Sequence, residues 1–387
     1  MGKKIKLIQC CLLAIALVSV TYATPVDTHG QLSVKGNKIV DKNGDVVVLR
    51  GMSLFWSQAA EGRDFYNADV VNWLAEDWHA NIIRIAMGVE GDWGPGAEAY
   101  LTNPEVHKQR VKTVVDAAIA KGIYVIIDWH DHNADKHQAQ AIAFFEEMAR
   151  LYGDKPNIIY ETFNEPTSQS WSTVKRYSEA VIGAIRKHDS KNIIVVGTPK
   201  WSSEVDVASQ DPIRGYENLA YSFHFYASDA HHHQEYRQKA DAALNNGVAV
   251  FVTEWGNSDA SGDGALKRSN MDTFMNWMQE RQLSWCNWSI VSKGESSAAL
   301  KAGSFDKDGN FVHSASTQGG WSENDLSESG KYVREKMRQY NPAWEPTPVP
   351  ILKKIPNEAV ELPHGVFDAN KGVLIYDQNH DAQGRMR

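Results

Sequence analysis

Two glutamates stand where apolar, strand-like runs end. Glu165 follows the run 158–163 in Asn164-Glu165-Pro166, and Glu254 closes the run 248–254 in Thr253-Glu254-Trp255-Gly256. Two carboxyls that converge on one point can protonate a leaving oxygen and meet the oxocarbenium-like carbon left behind, which is the chemistry of glycosidic cleavage. Other runs end on residues that suit the same chemistry, namely Arg84, His130 in Asp128-Trp129-His130, His224 and Tyr226 in Phe223-His224-Phe225-Tyr226, and Trp288. Polar groups inside oily runs cost free energy unless they are paired or functional, so their recurrence at run ends is a pattern. Tyr226 and Arg84 are expected to donate to Glu254, favouring its ionised form. Glu165 is then expected to be held protonated by its neighbour's charge, which gives two identical residues opposite roles. Asn164 is placed to hold a sugar 2-hydroxyl, His130 and His224 to orient the pair, and Trp288 to floor the sugar that is cut. A separation of about 5–5.5 Å, expected for facing strand ends, is that of a retaining mechanism.

The elements that must position these residues are legible as periodicity. Strands are predicted over 46–52, 81–86, 124–129, 158–163, 193–197, 219–225, 248–254 and 284–290, with helices over 69–78, 105–121, 139–152, 174–188 and 267–282. Near-continuous apolar strands alternating with helices form a parallel sheet covered on its outside. Eight such units make an α/β fold, a (β/α)8 barrel, whose sites lie at the C-terminal strand ends. Upstream, 32–40 and 46–49 flank Asn43-Gly44 and predict an N-terminal β-hairpin turning there, plugging the barrel bottom.

The 387 residues carry a formal charge of −8 with no Lys/Arg-rich run, which argues against nucleic acid and weakly against an anionic membrane surface. A neutral polymer suits this balance, and the 13 Trp suit flat sugar faces, although Trp also fills cores. Lys3, Lys4 and Lys6 followed by the apolar stretch 7–20 and Thr21-Tyr22-Ala23 read as a signal peptide over 1–23, cleaved near Ala23, so that a secreted protein is expected. Cys286 is then the one remaining cysteine, read as a small buried hydrophobe. It leaves no intrachain disulfide and no zinc-thiolate site. Catalysis without metal or cofactor is expected: His231-His232-His233 cannot converge on one ion, and Asp306-Lys307-Asp308-Gly309 reads as a turn. A catalytic domain over 24–340 is followed by a tail, 341–387, with six prolines between Pro342 and Pro363 that favour an extended path. A monomer is expected.

The motifs Ile158-Ile159-Tyr160-Glu161-Thr162-Phe163-Asn164-Glu165-Pro166, His224-Phe225-Tyr226 and Val252-Thr253-Glu254-Trp255-Gly256 resemble glycoside hydrolase family 5. The opening Gly30-Gln31-Leu32-Ser33-Val34 and Gly51-Met52-Ser53-Leu54-Phe55-Trp56 look like its bacterial endoglucanase subfamily, which also occurs in plant-parasitic nematodes. So do Gly197-Thr198-Pro199-Lys200-Trp201-Ser202 and Ser292-Lys293-Gly294-Glu295. The resemblance runs from Thr28 to Tyr340 and implies a (β/α)8 endo-β-1,4-glucanase (cellulase) acting on β-1,4-glucan, with Glu165 as acid/base and Glu254 as nucleophile. It implies Phe55, Trp56, Lys293 and Glu295 on the non-reducing side of the cut and Trp201 beyond it. Departures are an insertion over 306–329 and the proline tail, which falls where the family often carries a linker to a cellulose-binding module. Blander readings stand beside these: Arg84 as an ion-pair partner, Trp288 and Trp201 as packing, one of Phe55 and Trp56 facing the core, Lys293 as a solvated lysine. A retaining β-mannanase or lichenase of the same fold is the alternative within the class.

Overall fold

The computed structural model describes residues 23–91 and 98–343, and the backbone of 359–362, 365–368 and 373–376. Eight parallel strands close into a barrel: β1 (Arg50–Leu54), β2 (Ile82–Gly88), β3 (Tyr124–His130), β4 (Ile158–Glu161), β5 (Ile193–Val196), β6 (Leu219–Tyr226), β7 (Ala249–Gly256) and β8 (Trp285–Ile290), with β8 pairing back onto β1. Helices follow each strand: α1 (Ala68–Glu76), α2 (Pro104–Lys121), α3 (Gln138–Tyr152), α4 (Trp171–Arg186), α5 (Val205–Gln210), α6 (Gln234–Asn245), α7 (Arg268–Arg281) and α8 (Glu328–Tyr340). Their starts are set locally. The Asn67 side chain accepts from the Val70 N–H, and Ser170 and Ser327 cap α4 and α8 the same way, satisfying donors that a helix end otherwise leaves bare. Sequence periodicity did not single out α5 and α6: α5 is short, and α6 reads Gln-Glu-Tyr-Arg-Gln-Lys before its small buried alanines Ala240 and Ala243.

Side chains alternate across each strand, so the barrel interior is a separate layer from the one beneath the helices. The outer layer is apolar throughout, for example Ile83, Ile85, Val125, Ile127, Val250 and Val252. The inner layer is graded. Its lower part is Ile82, Tyr124, Ile126, Ile159, Val195, Ala249 and Phe251, sealed from below by Leu32, Ile39, Val47 and Leu49. One step up, the same strands turn buried polar groups inward: Arg84, Asp128, Glu161, Ser222 and Thr253. The oily floor is what makes the charged layer above it water-poor.

The N-terminal plug turns at Asn43-Gly44 as expected, and turns once more inside the run read as its first arm. Ser33–Lys35 pairs with Lys38–Val40 around Gly36, which takes φ 62°, and Asn43-Gly44 is spanned by the Val40–Val46 bridge with Asp41 N–H to Asp45 O and Val47 N–H to Ile39 O. Both sites offer a glycine at positive φ, and the three-residue arms on either side of Gly36 form the ladder. The insertion contains a small hairpin, Ser304–Phe305 against Phe311–Val312, whose tip is the Asp306–Gly309 turn closed by Asp306 accepting from the Asp308 and Asn310 amides. Arg50 and Asn341 clasp the end of α8 to β1: Arg50 Nη1 donates to Asn341 Oδ1 at 3.1 Å, and Asn341 Nδ2 returns to the Arg50 carbonyl. The signal stretch and most of the proline segment lie outside the described residues. In the C-terminal stretch, Ala359–Leu362, Gly365–Asp368 and Val373–Tyr376 form an antiparallel sheet of their own.

Candidate active site

Glu254 reaches the barrel mouth because of an irregularity in β7. Ser222 of β6 pairs with Phe251, but His224, two residues on, pairs with Glu254, three residues on. One extra residue in β7 makes a bulge, which re-aims the side chains after it. Thr253 and Glu254 therefore both face inward, where strict alternation would send one of them under the helices. Glu165 is placed differently. The β4 ladder stops at Glu161, four residues short of it, and 162–165 continue beside neighbouring strands through Thr162 N–H to Val195 O, Asn164 N–H to Trp129 O and Glu165 N–H to Asp131 O. The strand is thus shorter than the apolar run predicts.

A fully buried guanidinium organises the floor. Arg84 donates from Nε to Glu161 at 2.7 Å, from Nη1 to Glu254 at 2.9 Å and from Nη2 to Asn164 Oδ1 at 2.6 Å, with Asp128 2.9 Å from Nη2. It is a structural ion-pair partner and a site residue at once. Tyr226 gives its hydroxyl hydrogen to the other Glu254 oxygen at 2.9 Å. Gly256 makes room for that ring, since a Cβ there would come within 2.3 Å of Tyr226 Cδ1. His130 is pushed well below its ordinary pKa by burial and by the Arg84 charge. As a neutral ring with Nδ1 2.7 Å from Asp128 it donates there and leaves Nε2 facing the Asn164 amide at 3.4 Å.

Glu165 lies between two histidines, with Oε1 3.0 Å from His224 Nδ1 and Oε2 3.1 Å from His132 Nε2. Oxygens of Glu165 and Glu254 and a ring nitrogen of His224 all lie within 4.8 Å of one another. The order of protonation is opposite to the sequence expectation. Burial pushes Glu165 up, but hydrogen bonds from His132 and His224 outweigh it and hold Glu165 at about 2. Burial, then the Glu165 charge, raises Glu254 despite His224, Arg84 and Tyr226. Two features explain the reversal. Arg84 is divided among three carboxylates, and His132, which no run-end pattern marks, adds a second donor to Glu165. His224 itself, lowered by burial, is raised to about 9 overall by the carboxylates of Glu161, 3.8 Å from Nε2, and Glu165, 3.0 Å from Nδ1. The acid proton of the resting site therefore belongs to the His224–Glu165 pair and sits on the imidazole.

An aromatic wall stands over the Glu254 side. Trp288 lies parallel to the His130 ring, 8° between planes and 5.3 Å between centroids, and packs on Phe55 at the same centroid distance. Phe55 is the member of its pair that faces inward, 2% exposed, while Trp56 stacks on it at 4.8 Å and reaches the cleft. Lys293 Nζ is 5.5 Å from the Phe55 ring centre and 5.9 Å from that of Trp56, and is paired with Glu295 at 2.6 Å, so it is no loose loop lysine. Trp201 is 53% exposed and borders both this cleft and a second cavity on the Glu165 side, lined by Lys200, His232 and Tyr236. Packing does not explain so exposed an indole. Lys200, Trp201 and Ser202 all take positive φ, an unusual run for residues with side chains. It is tied to the Glu165 segment by Trp201 N–H to Pro166 O and Ser202 Oγ to Asn164 O.

The structure thus gathers every sequence-selected residue around one mouth, and adds His132, Asp128, Glu161, Ser222, Thr253 and His232. Asp128 and Glu161 had a readable signal, a carboxylate two residues beyond an inward isoleucine; His132 and His232, on loops, had none. Among the described residues two clusters have the spacing to hold a cation, Glu165-His224-Glu254 and Glu90-Asp131-His137. In the first, Arg84 and the imidazolium already supply positive charge. In the second, Asp131 accepts from Trp129, Asn133 and His137 and clamps the loop after β3. Cys286 is buried in the barrel's lower layer.

A closed barrel with opposed carboxylates at its C-terminal mouth defines a glycoside-hydrolase scaffold. The chain belongs to glycosyl hydrolase family 5: the model of its cellulase domain matches residues 40–294. It is 48% identical over 266 residues to endoglucanase Z of Dickeya dadantii, an alignment covering 68% of this chain and 60% of that protein. A solved structure from Cytophaga hutchinsonii is 48% identical with a TM-score of 0.75, covering 82% of this chain and 97% of that one. The catalytic domain of a Thermobifida fusca endoglucanase, a variant described in complex with cellotetraose, is 33% identical with a TM-score of 0.72, covering 81% and 99%. The chain spans about three fifths of the length of the Dickeya relative.

Proposed function

We propose that this chain is an endo-β-1,4-glucanase that cuts by retaining double displacement, with Glu254 as nucleophile and Glu165 as acid/base. The observation that carries the reading is the separation of the two carboxylates, whose oxygens come within 4.8 Å. That fits the gap of about 5–5.5 Å across which no water can be inserted, and is short of the roughly 6.5–9.5 Å of inverting enzymes. When sugar fills the cleft, the pair's proton moves along the 3.0 Å bond from His224 to Glu165 and on to the leaving oxygen, while a Glu254 oxygen bonds the anomeric carbon. Glu165 then takes a proton from water, which displaces Glu254. Asn164, its carbonyl committed to Arg84, turns its amide to the 2-hydroxyl. Phe55, Trp56, Trp288, Lys293 and Glu295 hold the chain on one side of the bond and Trp201 on the other, as internal cleavage needs. The names of the relatives and the cellotetraose complex of one of them support a β-glucan substrate.

Cellopentaose hydrolysis followed by proton NMR tests substrate, endo action and stereochemistry together. The expected first product is the β-anomer, with cellobiose and cellotriose formed together and carboxymethyl cellulose cut in preference to mannan. An initial α-anomer sinks the short-gap mechanism, and a preference for mannan sinks the substrate.

The pH profile has a worked-out sign. Activity needs a proton on the His224–Glu165 pair, so it is lost as pH rises through about 9, where His224 gives its proton up. It also needs Glu254 ionised, so on the acid side activity is lost as pH falls through a value higher than the ordinary glutamate 4.5. A bell in kcat/KM with its alkaline limb near 9 is expected; an alkaline limb at the free-histidine value of about 6.5 would show His224 neutral.

Residues 1–23 are read as a signal peptide removed near Ala23, so the enzyme acts outside the cytoplasm as a monomeric domain, 24–340, with a proline-rich tail, 341–387.

A further inference from the structure

The hydrolytic steps leave one buried carboxylate in the polar layer without a part. Glu161 ends β4 with its side chain wholly shielded from solvent, below both catalytic glutamates and in contact with neither by hydrogen bond. A charge in such a place is costly unless it is matched, and here the matching is specific. Oε2 accepts from Arg84 Nε at 2.7 Å and Oε1 from Thr253 Oγ1 at 2.6 Å, with Ser222 Oγ 3.3 Å from Oε1. The same two hydroxyls lie 2.9 Å from His224 Nε2.

Each hydroxyl has a single hydrogen to give. A carboxylate can only accept, so Thr253, the nearer at 2.6 Å, gives its hydrogen to Glu161, Ser222 gives its own to the Thr253 oxygen it touches, and both present lone pairs to His224. His224 Nε2 must then carry a hydrogen. The ring's other nitrogen, Nδ1, is the one 3.0 Å from Glu165. The exchangeable proton is thereby confined to the side of the ring that faces the acid. On its other edge Glu161 pins Arg84, whose Nη1 holds Glu254.

We infer that Glu161 is a positioning residue that sets both halves of the catalytic pair from below, orienting Arg84 against Glu254 directly and fixing the protonation of His224 against Glu165 through the Thr253 and Ser222 hydroxyls. The inference rests on the glucanase reading for its kinetic part, but its proton assignment does not. The charged and titratable groups that face His224 are Glu161 and Glu165 from β4 and the loop after it, Glu254 from β7 and His130 from β3; those that face Glu161 are Arg84, Asp128, His224 and Cys286. Glu161 is the one carboxylate in the first set that touches the hydroxyls on the Nε2 side.

Glu161→Gln tests this in the full chain. Arg84 Nε claims the amide's oxygen, so its NH2 group meets the two hydroxyls, which reverse and donate to His224 Nε2. In 15N-histidine-labelled protein the expected spectrum at neutral pH is a neutral His224 ring with its hydrogen on Nδ1, where the parent shows an imidazolium. The alkaline limb of kcat/KM is expected to move down by more than about two pH units, as a neutral ring at neutral pH requires, and kcat to fall at least about tenfold while KM stays within about threefold. Thr253→Val removes the main relay but leaves the Arg84 contact. It should move the limb the same way with a smaller loss of kcat, and it carries the test if the first variant fails to fold by circular dichroism. A folded Glu161→Gln protein with an imidazolium at neutral pH and an unmoved limb overturns the inference, as does an unmoved limb in Thr253→Val. Failure of the parent to cleave any β-glucan would instead sink the functional reading, with the nitrogen spectrum still deciding the proton assignment.

Discussion

Glu254→Gln is expected to abolish turnover of β-1,4-glucan while leaving the fold and sugar binding in place. The carboxylate is to form a covalent bond to the anomeric carbon, and a carboxamide oxygen has too little nucleophilicity to replace it. Loss of a nucleophile elsewhere costs up to about 10⁶ in kcat, and a fall of at least about 10⁴ is expected here. The isosteric amide keeps an acceptor for Arg84 Nη1, 2.9 Å away, and removes a charge that burial and Glu165 already oppose, so stability should not suffer. Reducing-sugar release on carboxymethyl cellulose reads the loss, and tryptophan fluorescence titration with cellopentaose reads the binding, through Trp56, Trp201 and Trp288 at the cleft. A purified variant within about tenfold of the parent would remove Glu254 from the covalent step.

Glu165→Gln should show a divided effect. Leaving-group protonation by a positioned acid contributes about 10²–10⁴ in rate, and that loss is expected in full on cellulose chains. An aryl cellobioside with an acidic phenol leaves without a proton, so its first step should be nearly spared. The glycosyl ester on Glu254 then waits for water that no base activates, and it accumulates. Azide needs no base: by attacking the anomeric carbon and displacing the Glu254 carboxylate it should restore turnover and yield a β-cellobiosyl azide. Stopped-flow release of the phenol and identification of the azide check this. Equal impairment on both substrates, with no azide product, would place the proton donor elsewhere. His224 is the obvious second candidate, because the resting proton lies on it, and Glu165→Gln keeps the Nδ1 hydrogen bond while ending the transfer.

The barrel was readable because its signal is repeated: each strand is an apolar run of ordinary length, and a misjudged edge, as at 158–163, does not disturb the count. The hairpin was half-readable: the turn at Asn43-Gly44 is there, but Gly36-Asn37 offers the same turn chemistry inside the run read as one arm, and a second ladder forms around it. At the site, residue types in or just after apolar runs located Glu165, Glu254, Arg84, His130, His224, Tyr226 and Trp288, although Glu165 stands four residues beyond the β4 ladder and Arg84 within β2. Charge states were not readable. They depend on distances between residues far apart in the chain, on Arg84 serving Asp128 and Glu161 as well as Glu254, and on a loop histidine, His132, whose approach to Glu165 no local pattern encodes.

The extra residue in β7 has an evolutionary and engineering corollary. A one-codon deletion of Thr253 would restore even alternation, keep Glu254 on the barrel axis opposite His224 and every apolar residue of the strand in place, and remove the hydroxyl that stands beside the His224 ring. Sequence comparison by composition or by motif would scarcely notice the gap, yet such a homologue would keep both opposed carboxylates while losing the main link from Glu161 to His224. Among barrels of this kind, the residue count between the inward phenylalanine and the second glutamate is the number to inspect first.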